Sequence, residues 1–326
     1  MEEYTFRKFN NSEFDLLIPL MMDCFGMDVD INYFKWKYLD NPAGEFMGFV
    51  AVSNKNEIGA YYGVIPELYS IEDEVKTIYQ SCDTMTHSSH RRKGLFQKLA
   101  KLCYAYLAQS DKLFIIGFGG AQSTPGFLKF GWVNPFSIRY YFFPKIFSSI
   151  LKFTFRLKSS KHLLVRDVDI HEIKELLHES NSEGLIHSVK TEQIFKWRIS
   201  NPRHEYKLTG CINNSEEVTG YICYYITNNK IFLFDYAFKT KIDGRILIKG
   251  LKKTILNNKL KGIVAFCQQN SYYSKMLKGL GFISNPFKKG PLSEKTPFIF
   301  FAGKEKMDRY NDPSKWLINS FDHDAL

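Results

Sequence analysis

Apolar residues along this chain return with helical and strand-like periods, in an order that occurs twice. In "SEFDLLIPLMMDCF", Phe14, Leu17, Ile18 and Met21 recur at helical spacing, with Ser12 placed to cap the first turn. Strand-like runs follow at "MGFVAVSN", "IGAYYGVI" and "TIYQSCDTMTH". After Gly94 a helix gathers Leu95, Phe96, Leu99, Leu102, Cys103 and Tyr106 on one face. The apolar strand "KLFIIGF", a short helix near "TPGFLKF" and a strand around "IRYYFF" end the first stretch. The second stretch reads "VDIHEIKELLHES" as helix, "EYKLTGCIN", "VTGYICYYI" and "IFLFDYAF" as strands, "GRILIKGLKKTILNN" as helix, "GIVAFCQ" as strand and "SYYSKMLKGL" as helix.

Two strings recur in the same order, which points to duplication. "YFKWKYLDNP" (Tyr33 to Pro42) returns as "IFKWRISNP" (Ile194 to Pro202), and "FGWVNPF" (Phe130 to Phe136) returns as "LGFISNPF" (Leu280 to Phe287). Each stretch is helix, strands, helix, strand, helix. This predicts an α/β (α+β) chain of two similar domains, residues 1–145 and 161–326, joined by a connector over 146–160. The linking string "FPKIFSSILKFTFRLKSSK" (Phe143 to Lys161) alternates basic and apolar residues. It reads either as a packed linker helix or as an amphipath lying on a membrane surface.

A chain of 326 residues with 44% apolar content suits two cores. A formal charge of +10 favours an anionic partner without choosing among nucleotide cofactor, nucleic acid, lipid headgroup or acidic substrate. The six cysteines show no CxxC or Cys/His metal spacing, the N-terminus is acidic and polar, and no apolar run reaches the ~18 residues of a membrane span. Free thiols and a cytoplasmic location are expected. "HEIKELLHES" reads as a solvated helix rather than a metal site, and "GFGG" as a strand end.

Candidate chemistry concentrates at "THSSHRRKGLF". A helix N-terminus carries unpaired amides and positive partial charge, so it can hold a phosphate where the chain approaches closely. Gly94 permits that approach, and Arg91, Arg92 and Lys93 add charge. A solvated basic cap is the plainer alternative.

With its flanking strand, "TIYQSCDTMTHSSHRRKGLFQKLA" resembles the central motif of the GNAT acyltransferase superfamily. There Arg/Gln-x-x-Gly-x-Gly/Ala at a helix start holds the pyrophosphate of acetyl-CoA. Arg91 to Phe96 matches, except that Phe96 stands where Gly or Ala is usual. "STPGFLKFGW" and "YSKMLKGLGF" resemble the short helix that closes the same fold. The resemblance covers nearly all of residues 1–145 and, more weakly, 161–303. It implies two tandem GNAT-like domains, each a mixed, mostly antiparallel central sheet flanked by helices. The second domain departs at "KTKIDGRILIKG", where Asp243 precedes Gly244, so a cofactor site is expected in the first domain alone.

The implied reaction is acetyl transfer to a primary amine of a small molecule such as an amino sugar, amino acid or peptide. No nucleic-acid partner is expected, and a non-catalytic GNAT-fold scaffold is the rival reading. The resemblance assigns cofactor contacts to Thr84, Met85, Thr86, His87, Arg91, Arg92, Lys93, Gly94, Leu95, Phe96 and Ser123. Strand alternation puts Asp83, Met85 and His87 on one face and Cys82, Thr84 and Thr86 on the other. Asp83 and His87 are therefore the candidate bases, though Asp83 could instead pair a cation and His87 cap the turn. The tyrosine used as acid by many relatives is replaced by Phe127 and, in the second copy, Leu277. Tyr61, Tyr62 or Ser123 remain as possible acids. "FKWKYLDNP" reads equally as an acceptor lid or as structure.

Overall fold

The computed structural model describes residues 3–110, 112–120, 123–146, 164–177, 182–285, 287, 289–290 and 292–324. The connector beyond Ile146, and His178, lie outside the described residues. The strands are β1 (Tyr4–Lys8), β2 (Met47–Ser53), β3 (Ile58–Ile71), β4 (Glu74–Thr86), β5 (Phe114–Phe118), β6 (Val133–Pro144), β7 (Leu164–Asp167), β8 (His187–Ser188), β9 (Lys207–Ile212), β10 (Val218–Thr227), β11 (Lys230–Phe238), β12 (Gly262–Gln268) and β13 (Lys295–Ala302). They join in one sheet, ordered β1-β2-β3-β4-β5-β13-β6-β12-β11-β10-β9-β7, with β8 on β3. Neighbours along this path are antiparallel except β4 with β5 and β11 with β12.

The helices are α1 (Leu17–Phe25), α2 (Ile31–Phe34), α3 (Leu95–Gln109), α4 (Thr124–Lys129), α5 (Lys174–Leu177), α6 (Glu192–Ile199), α7 (Lys241–Asn257), α8 (Tyr272–Gly279) and α9 (Lys304–Tyr310). On one face of the sheet, Leu99, Cys103 and Phe127 pack α3 and α4 against Ile115, while Leu247, Leu251 and Leu277 pack α7 and α8 against Ile263. The other face is covered by α1 and α2 through Leu17, Met21 and Phe34, and by α5 and α6 through Leu177 and Phe195. The first helical stretch differs from expectation. Asn10, not Ser12, caps it in a reciprocal box with Glu13, and a tight 3₁₀ turn over Asn11–Leu16 precedes α1. Pro19, which lacks an amide to donate, falls in the first turn of α1, where none is required.

The two halves are interlocked by strand exchange. β6 follows the first half in sequence but pairs with β12 of the second, and β13 returns to pair with β5 of the first. The two exchanged strands pair with each other at the centre, with Pro297 opposite Ser137. A division of the sequence at residue 145 therefore does not divide the sheet.

The repeated FKW string sits on this centre. Trp36 Nε1 donates to the Trp197 carbonyl and Trp197 Nε1 to the Trp36 carbonyl, each at 2.7 Å, with the rings 5.5 Å apart. Both indoles are buried, so each copy satisfies the polar group that the other would strand. The next residues, Lys37 and Arg198, are also buried, and both hold the C-terminal segment. Arg198 Nη2 donates to the carbonyls of Phe321 and His323 at 2.6 Å, while Lys37 Nζ bonds Asp324 at 2.9 Å. Gln80 Nε2 donates to the Asp322 carbonyl at 2.6 Å and Tyr69 OH to its carboxylate at 2.8 Å. Asn319 Nδ2 reaches back to Asp235 on β11 at 3.0 Å. "FKWKYLDNP" is thus structural in its central residues.

Glu67 on β3 lies within this charged seam. Burial pushes its carboxyl up to about 8, against the opposing pull of Arg198, and its Oε1 has no hydrogen-bond partner among the described residues. Its ordinary value is 4.5, so below that pH the folded and unfolded chains hold the same proton. Between there and about 8 the folded state retains a proton that the unfolded state has released, and stability falls by up to about 1.4 kcal/mol per pH unit. Urea unfolding of wild type and Glu67→Gln at pH 5 and pH 8 should show the stability difference moving in favour of the variant as pH rises. Parallel behaviour at both pH values would show that Glu67 is ionised in the fold.

Candidate active site

The turn from β4 into α3 is built as the sequence suggests. Gly94 is the N-terminal cap of α3 with φ +70°, and Arg92 is also left-handed at φ +64°. Alternating left-handed residues bend successive amides around one concave point, which suits an anion. A side chain at Gly94 would meet no protein atom within 4 Å, so the space over the helix start is open. Arg91, Arg92 and Lys93 are all exposed around it. Lys93 Nζ donates to Tyr4 OH at 2.9 Å, and Tyr4 OH lies 2.6 Å from His90 Nδ1. These bonds fix one wall of the turn to β1. Leu95 is buried against the sheet, while the Phe96 ring packs 5.1 Å from Phe127 and 5.4 Å from Phe130. The departure at Phe96 therefore anchors α3 to α4 and leaves the helix start unobstructed.

β4 reaches this turn through a bulge. Gly63 pairs with Cys82 and Tyr61 with Met85, leaving Asp83 and Thr84 opposite Tyr62 alone, and Asp83 adopts φ +44°. Pairing of β4 with β5 stops at Ser81 and Gly117, so the strands part beyond it. Thr84, Met85 and Thr86 line the parted stretch, where only backbone groups of Met85 are available because its side chain is buried.

The extra residue overturns the predicted alternation. Cys82 and Met85 fall in one core with α1 and α2, and Asp83 points to the same side. Asp83 accepts from Lys37 Nζ at 2.9 Å and from Tyr38 OH at 2.7 Å. Burial alone would lower the Lys37 pKa, but Asp324 and Asp83 together raise it well above the ordinary value, so the ammonium stays charged. His87 caps the short 3₁₀ turn Ser88–His90. Its Nδ1 lies 2.8 Å from Ser89 Oγ and 3.3 Å from the Ser89 amide, and its Nε2 is 3.9 Å from Asp23. Accepting the Ser89 amide uses the Nδ1 lone pair, and the ring stands on a side chain that is 40% exposed. The structure does not bring Asp83 and His87 together on one surface, since Asp83 is drawn under the strand.

The candidate acids are also separated. Tyr61 and Tyr62 are buried on opposite faces of β3, Tyr61 with α1 and α2 and Tyr62 with α3, and burial raises both hydroxyls well above the ordinary value. Ser123 precedes α4, with its Oγ 3.2 Å from the Gly120 amide. Phe127 is buried and offers no proton.

Sequence reasoning missed the C-terminal segment entirely. The His323 ring lies 4.5 Å from that of Phe118, the last residue of β5, tilted by 31°, so an imidazole lies beneath the point where β4 and β5 separate. Burial lowers its pKa to about 4, so it is neutral near pH 7. No sequence signal marked it, because the segment has neither strong periodicity nor a motif.

The corresponding helix start in the second half is closed. Thr240, not Gly244, is the cap of α7, and Gly244 lies inside the first turns. Asp243 accepts from the Thr240 amide at 2.9 Å, from Thr240 Oγ1 at 2.7 Å and from Thr219 Oγ1 at 3.0 Å. A β-carbon on Gly244 would come 2.9 Å from the Phe238 ring. The charge cluster is nevertheless kept, with Asp235 of β11 accepting from Lys190 at 2.8 Å and from Tyr221 at 2.7 Å. A strand carboxylate paired to a buried lysine thus occurs in both halves, independent of an open helix start.

Comparison with known proteins agrees with this architecture. Residues 5–133 match the family model described as "Acetyltransferase (GNAT) domain". Among curated proteins, none matches the sequence. A probable N-acyltransferase from Enterococcus faecalis V583 superposes with a TM-score of 0.71 at 10% identity, over 92% of this chain and 72% of that one. A tandem GNAT protein from the clavulanic acid biosynthesis pathway gives 0.61 at 12%, over 92% and 99%. Saccharomyces cerevisiae N-myristoyltransferase with bound myristoyl-CoA gives 0.60 at 13%, over 92% and 79%. At these identities the structures speak for the fold. The family match thus covers residues 5–133, and the tandem GNAT fold extends across the chain's length.

Proposed function

We propose that the protein is an acetyl-CoA-dependent N-acyltransferase acting on a primary amine, with one cofactor site per chain in the first half. The observation that carries this reading is the open Gly94 turn at the head of α3, beside a bulged strand that parts from its neighbour. The amides of Leu95 and Phe96, with Arg91, Arg92 and Lys93, would hold the pyrophosphate. The free edge of Thr84 to Thr86 would hold the pantetheine, with Ser123 on the far side of the opening. Bound acetyl-CoA supplies an activated thioester, from which the acyl group passes to the amine nitrogen as CoA leaves as the thiol. His87 is assigned as the base that takes the ammonium proton, because its ring is 40% exposed while Asp83 is committed to Lys37 and Tyr38.

Gly94→Val should weaken CoA binding at least tenfold in a folded protein. The added side chain fills open space that the phosphates need, at a backbone angle costing ~1–3 kcal/mol for a β-branched residue. Calorimetric titration of CoA into wild type should give a stoichiometry near one, with affinity falling as salt rises. Two equivalent sites, or unchanged affinity in Gly94→Val, would overturn the assignment.

His87→Ala should reduce kcat by about tenfold or more at low pH, where the amine is protonated, with little change in CoA affinity. Asp83→Asn should instead lower stability, because Lys37 loses one of its two carboxylates. Rate profiles from pH 6 to 9 separate these roles. A wild-type profile in His87→Ala together with a lost one in His323→Gln would move the base to the C-terminal segment.

A further inference from the structure

The net charge of this chain is concentrated in one stretch. Between Lys239 and Leu280 the sequence holds ten Lys and Arg residues and one acid, Asp243, so this stretch carries nine of the chain's ten net positive charges. The acid is withdrawn from the surface, because it is buried and caps the first turn of α7 together with Thr240. Lys239, Lys241, Lys249, Lys261, Lys275 and Lys278 are all exposed, and none of them forms an ion pair among the described residues. Unpaired like charges on one surface raise a positive potential that draws anions and fades within a Debye length.

These residues share a face of the second half. α7 and α8 pack on the same side of the sheet, and the Lys241 side chain runs across Gly279, where a β-carbon would come 2.8 Å from its Cε. The first turn of α7 therefore touches the last turn of α8. Along α7, Ile242, Lys249 and Leu256 recur at an interval close to two helical turns, and all three are exposed while Leu247, Leu251 and Ile255 face the core. Tyr272, Lys275 and Lys278 are the exposed residues of α8. Where α7 gives way to β12, Ile146 is exposed beside Lys145, whose amide donates to the Lys261 carbonyl at 2.9 Å.

Residue types choose among anionic partners. Nine of the ten cations are lysine, a compact point charge, whereas nucleic-acid surfaces favour the arginine fork and aromatic platforms for the bases. The exposed apolar residues among these lysines are aliphatic at Ile146, Ile242 and Leu256, with Tyr272 aromatic. Aliphatic tips between lysines suit the boundary of headgroups and acyl chains, and a tyrosine suits the headgroup level. We propose that the α7–α8 face docks the protein reversibly on an anionic lipid bilayer. This gives the second half, whose helix start is closed, a role that stands apart from the acyltransferase reading.

Co-sedimentation of the full chain tests this with vesicles of phosphatidylserine and phosphatidylcholine in equal parts, against vesicles of phosphatidylcholine alone. Binding is expected to the first and not to the second, and it should fall away between about 0.1 M and about 1 M salt, where the screening length shrinks from ~10 Å to ~3 Å. One lysine at an anionic surface changes partitioning about fivefold, so Lys249→Gln and Lys275→Gln should each weaken binding by that factor and together about twentyfold. Ile242→Ser combined with Leu256→Ser should weaken it about tenfold. Lys101→Gln, on the exposed side of α3, should leave it unchanged. Unchanged thermal unfolding midpoints report that the variants fold. Vesicle binding that is absent, that ignores headgroup charge, or that falls equally in Lys101→Gln overturns the proposal. Tighter binding to polyuridylate, lost in the lysine variants and indifferent to Ile242 and Leu256, also overturns it, since the face would then belong to nucleic acid. Vesicle binding that needs the lysines but not the aliphatic pair upholds the docking face and removes only the insertion of its apolar tips.

Discussion

Neither half of this protein closes its own sheet, and the exchange of β6 and β13 is the constraint from which the rest follows. Among the described residues, each half keeps five strands of the main path and borrows its sixth, so the two cores meet across a pair of exchanged strands. A strand edge left without a partner presents unpaired backbone groups, and the exchange removes one such edge from each half. Because the exchanged strands are antiparallel, the halves are related by an approximate two-fold through their midpoint. Equivalent residues of the repeat are then brought face to face, and the reciprocal bonds of Trp36 and Trp197 are the local expression of that symmetry.

The symmetry is broken by what crosses it. A single C-terminal segment passes through the seam, and the two equivalent cations, Lys37 and Arg198, grip it at different residues. A buried ammonium flanked by Asp83 and Asp324 is a weak source of net stability, since desolvation offsets much of the attraction, but removing any one member leaves a buried charge exposed to that full cost. The cluster consequently fixes where β4 bends and where the segment ends, which sets the floor of the opening between β4 and β5. The two helix starts diverge for a similarly local reason. A carboxylate at Asp243 fills the first turn of α7, whereas the corresponding turn of α3 has cations and a glycine and stays open.

Much of this was legible in residue patterns. Strand and helix order, the repeat and the glycine turn all depend on local periodicity and on residue types with narrow conformational range, such as Gly94. The face of Cys82 was not legible, because a single bulge residue reverses the alternation and leaves no compositional trace. Strand exchange was invisible for a different reason. The string that runs into β6 returns before β13, and nothing in either strand states which half it pairs with. His323 was missed because its position depends on side chains far away in sequence, Arg198 and Phe118 among them.

The order of the chain gives the exchange a temporal meaning. β5 is made early, but its neighbour β13 and the segment that floors the opening are made near the end. At ~5–20 residues per second, a growing chain holds β5 with that side uncovered for roughly ten to thirty seconds. The first half can collect its helices and β1 to β5 during synthesis, yet its opening acquires a floor only after translation has passed the second half. A chain interrupted before β13 would carry an intact phosphate-type turn on an unfinished sheet, with an apolar strand edge available to other nascent chains.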